Sequence, residues 1–204
     1  MGKIKKYFGQ YEMTWLRIII LAIISAVITA AVAIIPALKQ SSLGDMATYP
    51  DVWFLYAMFI IMNCMTWKEA SLKSFVFFLI SQPLIYLIQV PFSNLGWQIF
   101  QYYKYWFIIT ILVLPGAAIA FLVKKQNWLS VPIISVATGY LCYMGVQYAK
   151  WCINPGAKHV LSAVFCIALA VFFVFGLLEN KKHKITAGII MLVFLAGFSV
   201  YMFR

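Results

Sequence analysis

Apolar residues in this chain come in blocks close to twenty residues long, broken by short polar stretches that carry lysine. About 20 apolar residues in a helix cross a hydrocarbon layer ~30 Å thick, whereas a helix of a water-soluble domain is apolar along one stripe only. Inside lipid the backbone must satisfy its own hydrogen bonds, which leaves helices and closed barrels. Blocks of this length predict helices. Composition agrees, with 65% of the 204 residues hydrophobic and 10% charged, against about 25% charged in a soluble domain. The expected fold class is all-α, a polytopic transmembrane helix bundle without a soluble domain. Seven spans are read, near 16–38, 52–67, 74–92, 105–123, 128–149, 159–178 and 185–203, forming a single transmembrane domain over 1–204. The second is the shortest for the layer it has to cross.

The formal charge of +11 does not indicate nucleic acid. The lysines form no stripe but sit in clusters between apolar blocks, where basic residues mark the inner membrane face and meet anionic headgroups. With the N-terminus inside, eleven basic residues fall on the inner side: Lys3, Lys5, Lys6, Arg17, Lys68, Lys73, Lys124, Lys125, Lys181, Lys182 and Lys184. Five fall outside: Lys39, Lys104, Lys150, Lys158 and Arg204. The bias predicts N-inside and C-outside. The run after Lys3, Lys5 and Lys6 is too long for a signal-peptide core and reads as an uncleaved first span. Lysine outnumbers arginine 14 to 2, a bias that points to an AT-rich bacterial genome and the cytoplasmic membrane. Seven spans also fit a three-plus-one-plus-three arrangement, although the two halves share no visible sequence similarity.

Polar side chains inside apolar blocks are the most informative residues, because an unpaired amide in hydrocarbon costs kilocalories. Gln82, Tyr86, Gln89 and Ser93 are spaced i, i+4, i+7 and i+11 in the third span. At about 100° per residue they share one face of a helix. That face meets either neighbouring helices or a cavity. Downstream, Asn94, Gln98, Gln101 and Tyr105 repeat the spacing beside Trp97, which predicts an amphipathic helix in the outer interface. Tyr140, Tyr143, Gln147 and Trp151, at i, i+3, i+7 and i+11, are again spaced for one face at the outer end of the fifth span, with Tyr49 and Trp53 on the same side. Two readings stand: the aromatic belts of any membrane protein, or an aromatic- and amide-lined cup opening outward. Lys104, Lys150 and Lys158 would stand at its rim, with Asp45 and Asp51 as outer counter-charges. The candidate ligand-binding residues are therefore Gln82, Tyr86, Gln89, Asn94, Trp97, Gln98, Gln101, Tyr140, Tyr143, Gln147 and Trp151.

The chain carries no HExxH, P-loop, GxSxG or glycine-rich nucleotide motif. Its four cysteines form no CxxC pair and no metal-ligand spacing. Cys152, Asn154 and His159 lie close in sequence but lack any local nucleophile signature, and Asn154-Pro155-Gly156 reads as a turn. His183, among lysines, reads as solvated. No metal, cofactor or catalytic residue is expected. In the first span Ala26 and Ala30 have small-xxx-small spacing, which suits either packing within the bundle or a partner membrane subunit. The leading expectation is small-molecule transport, or the ligand-binding membrane subunit of a transporter. The alternatives are a non-catalytic structural or regulatory subunit of a membrane complex and, third, a membrane-embedded enzyme.

Overall fold

Helix α1, Trp15–Ile34, starts where Thr14 takes an extended conformation and its hydroxyl accepts from the Arg17 N–H. It stops before Pro36, which pushes Ile35 into the extended region (ψ 115°). A computed structural model describes residues 11–153 and 158–203. Lys3, Lys5, Lys6, the Asn154-Pro155-Gly156 turn and Arg204 lie outside the described residues. All regular structure among the described residues is helical. After α1 come α2 (Pro36–Lys39), α3 (Ser42–Thr48), α4 (Asp51–Asn63) and α5 (Trp67–Gln89). Two 3-10 turns, Val90–Phe92 and Gly96–Tyr102, lead into α6 (Tyr103–Phe121). A further 3-10 turn, Leu122–Lys125, precedes α7 (Ser130–Trp151), α8 (Val160–Phe172) with a π-helical end at Phe173–Leu177, and α9 (Lys181–Met202).

Five helical stretches are long and apolar enough to cross a membrane: Trp15–Ile34, Trp67–Phe92, Gly96–Lys125, Val160–Leu177 and Lys181–Met202. The chain is a multi-pass, membrane-embedded protein. Two expected spans fall outside this set, for different reasons. Helix α4 has 13 residues, about 20 Å at 1.5 Å per residue. Helix α7 has 22 residues, which is long enough, but Ser130, Ser135, Thr138 and Gln147 lower its hydropathy.

The residues divide into two compact units. In the unit formed by 11–48 and 57–121, α5 packs against α1 on one side and α6 on the other. Helix α1 shows the pattern lipid imposes. Ile19, Ile20, Ile23, Ile24, Val27 and Ile28 are exposed, while Ile18, Ala22, Ser25, Ala26 and Ala30 are buried. Large apolar side chains suit lipid tails, and small ones allow close helix contact. Ala26 and Ala30 are 0% exposed, so the face the sequence offered to a partner subunit is covered. Helix α5 starts seven residues before the expected 74. Thr66 Oγ1 accepts from the Glu69 N–H at 3.2 Å, and the Glu69 carboxylate accepts from the Met65 N–H at 2.7 Å, a reciprocal capping box. Lys73, expected at the inner surface, is buried. Its Nζ donates to the Met13 carbonyl and the Glu69 carboxylate, 5.7 Å from the Trp15 ring centroid.

In the unit formed by 49–56 and 122–203, α7 is the central helix, packed against α8 and α9. Glycines allow the approach. A Cβ at Gly145 would lie 2.8 Å from Ile167 Cδ1, and one at Gly139 3.0 Å from Phe194 Cε2. Gln126, at φ 53°, joins two turns: its amide donates to the Val123 and Leu177 carbonyls and accepts from the Glu179 N–H. His183 is 4% exposed and its ring lies 4.5 Å from that of Trp128. The lysines around it reach solvent; the imidazole does not.

Candidate ligand site

Gln82, Tyr86 and Gln89 do share a face, and that face lines a cavity of about 150 Å³. Ile85 completes the contribution of α5. Helix α1 adds Thr29 and Ala33, and α6 adds Trp106. The remaining wall comes from a segment the sequence reading treated as a loop: Lys39 of α2, and Gly44, Ala47 and Thr48 of α3. All these residues belong to one unit. Helix α3 can lie so close only because residue 44 is glycine. A Cβ there would sit 2.1 Å from the Lys39 carbonyl oxygen, and backbone does not yield as a side-chain tip does.

Pro83 follows Gln82 within α5. Having no N–H, it cannot donate to the carbonyl four residues back, which loosens the helix at this depth. Gln82 is 1% exposed, and its buried Nε2 has no hydrogen-bond acceptor among the described residues. An unsatisfied buried donor costs about 1–3 kcal/mol. Any occupant that meets this amide, water or solute, must present an acceptor. The Thr48 hydroxyl donates to the Gly44 carbonyl at 2.9 Å, so its proton is already committed.

Of the outer aromatic segment, Trp106 lines the cavity itself, while Phe100 and Tyr103 reach its wall through Tyr86. The α-helical face expected from Asn94, Gln98, Gln101 and Tyr105 does not form, because Gly96–Tyr102 is a 3-10 helix. In that geometry residues three apart are eclipsed, so the rings pack on one another instead, Trp97 on Phe100 stacked and Phe100 on Tyr103 edge to face. Trp97 and Phe100 lie 5.9 Å apart, and Phe100 and Tyr103 6.3 Å. Both Phe100 and Tyr103 lie 6.0 Å from Tyr86. Asn94, Trp97, Gln98 and Gln101 are exposed and are not among the lining residues.

Tyr140, Tyr143, Gln147 and Trp151 belong to the other unit. Tyr140 and Trp151 pack on the buried cluster of Met144, Tyr148 and Cys166. Tyr143 turns instead to Phe198, at 5.6 Å, and Gln147 is half-buried. Tyr148, off the expected face, is the residue with chemistry. Its hydroxyl donates to Asp51 Oδ2 at 2.8 Å, and the Cys166 thiol lies 3.5 Å from the same oxygen. Asp51 Oδ1 accepts from the Val52 N–H at 2.8 Å, a favourable position for a carboxylate at a helix N-terminus. Asp51 is 0% exposed, not an outer counter-charge in water. Around it, Tyr49 lies 5.9 Å from both Tyr148 and Trp151, and His159 5.3 Å from Trp151.

No group of His, Cys, Asp and Glu suited to a metal is found among the described residues. Comparison with protein-family models, with curated proteins and with solved structures finds no match, so what the cavity can bind must follow from the side chains that line it.

Proposed function

We propose that this chain is a ligand-binding membrane protein of the transport type, which holds a small polar solute in the cavity faced by Gln82, Tyr86 and Gln89. The observation that carries the reading is Gln82, a residue of the cavity wall whose buried Nε2 has no acceptor among the described residues. A glutamine present only for packing would bond to a neighbouring helix. Size narrows the ligand. A cavity of about 150 Å³ is of the size that accommodates a molecule such as benzene, which favours a small solute. The subunit alternative loses its proposed docking face, since Ala26 and Ala30 are buried.

The proposal includes seven crossings with the N-terminus inside, in a bacterial cytoplasmic membrane. Helix α7 joins the five apolar stretches as a crossing sheathed by α8 and α9, where it can carry polar residues without meeting lipid. Helix α4 crosses at part depth, with the chain on either side completing the passage. The inner bias of the lysines supports the orientation.

The test is thermal stability of the protein in phosphatidylcholine nanodiscs against a panel of small polar solutes of up to about six heavy atoms. A solute that binds only the folded state raises the melting temperature. At least one should do so in the wild type and fail in Gln82→Leu. No solute effect, together with a Gln82→Leu variant less stable than wild type, would show an amide bonded within the helix bundle and overturn the reading.

A further inference from the structure

We infer that the cavity takes a small monoanion, a carboxylate of up to about six heavy atoms. This rests on the ligand-binding reading above and names the class of ligand. The first observation is charge. Among the described residues of the lining Lys39 is the charged one, with no Asp or Glu beside it; Asp45, on α3, is not part of it. A cation would therefore meet a like charge without a carboxylate to hold it. The second is donor count. Gln82 Nε2 requires an acceptor, and the Lys39 ammonium brings three more N–H donors and no acceptor. A carboxylate supplies two acceptor oxygens, and bonds between an ammonium and a carboxylate are about twice as strong as neutral ones. A neutral amide could satisfy Gln82 but would form no charge-assisted bond with the Lys39 ammonium. The third is placement. Lys39 is exposed, but its backbone is locked by the approach of Gly44 to its carbonyl. Lys39 thus joins the cavity wall from a backbone held close to α3, and a flexible four-carbon stem carries its ammonium. Tyr86 and Trp106 supply apolar wall for a short hydrocarbon tail.

The experiment compares three solutes of one skeleton, propionate, propionamide and propylammonium, binding to the full chain in phosphatidylcholine nanodiscs, by calorimetry and saturation-transfer NMR. Propionate should bind at least about tenfold tighter than the other two. Lys39→Met should weaken propionate by a similar factor and leave propionamide unchanged, whereas Gln82→Leu should weaken both. Lys39 is on the surface, so an unchanged melting temperature will show that Lys39→Met folds normally. Propionamide or propylammonium binding as tightly as propionate, or propionate indifferent to Lys39→Met, overturns the anion class while the ligand site stands. Failure of all three, with the wider panel equally silent, overturns the site itself. Phosphatidylglycerol retained by the wild type and lost from Lys39→Met, read by native mass spectrometry, would assign the cavity to lipid headgroups and overturn the inference.

Discussion

Gln82 and Asp51 are both buried polar side chains, and the fold treats them differently. Gln82 belongs to a cavity wall and its Nε2 has no acceptor among the described residues, while Asp51 is held by the Tyr148 hydroxyl, the Val52 N–H and the Cys166 thiol. A hydrogen bond to a buried charge contributes about 1.5–3 kcal/mol, and removing the donor leaves the carboxylate under-satisfied. Tyr148→Phe should therefore lower stability by about 1–3 kcal/mol, read as a fall in melting temperature. Adding Tyr148→Phe to Asp51→Asn should cost less than the sum of the two single changes, because they share one contact. Strict additivity would mean that the bond does not anchor α4. The Gln82–Tyr86–Gln89 stripe was legible because helical spacing alone reports it. Asp51 was not: in sequence it stands between Pro50 and an apolar run, far from Tyr148 and Cys166. Lys39 was missed as a lining residue for the same reason.

At the scale of the element, α5 and α7 play matching parts in their own units, each a more polar helix between two apolar neighbours. A helix covered by protein can carry Ser, Thr and Gln, whereas one that meets lipid cannot. Helix α7 approaches its neighbours through Gly139 and Gly145, which leave no room for a branched side chain. Gly145→Leu should destabilise the protein by about 1–3 kcal/mol through overpacking. Gly197→Leu on α9, where a Cβ meets nothing within 4 Å, should be nearly neutral. Equal melting temperatures for the two variants would refute the close packing of α7. The start of α5, set by Thr66 and Glu69, was missed by a reading that followed apolar residues and began at 74, although the capping residues stand in the sequence. The 3-10 turn at Gly96–Tyr102 was not, since α and 3-10 helices use the same residues and differ only in how the chain is wound. That difference brought Trp97, Phe100 and Tyr103 into one row of ring contacts and left Gln98 and Gln101 in the open.

For the whole molecule, the proposed topology makes a prediction that does not depend on the ligand. Reporter fusions after Thr48 and after Met65 should lie on opposite sides of the membrane, outside and inside, if α4 crosses. Fusions after Asn127 and Ile153 should likewise report inside and outside across α7. Alkaline phosphatase activity and green fluorescence distinguish the two sides. A shared side for the first pair would remove one crossing and invert everything downstream. The sequence by itself determined the solvent of this protein, its helical class and the polar face of α5, because hydrocarbon thickness and helical period act locally on consecutive residues. Only the tertiary structure decided that the Lys39–Thr48 region folds over that face, that Ala26 and Ala30 are covered, and that Asp51 is buried against Tyr148. Each of these depends on residues distant in the chain coming together, and no local period records that.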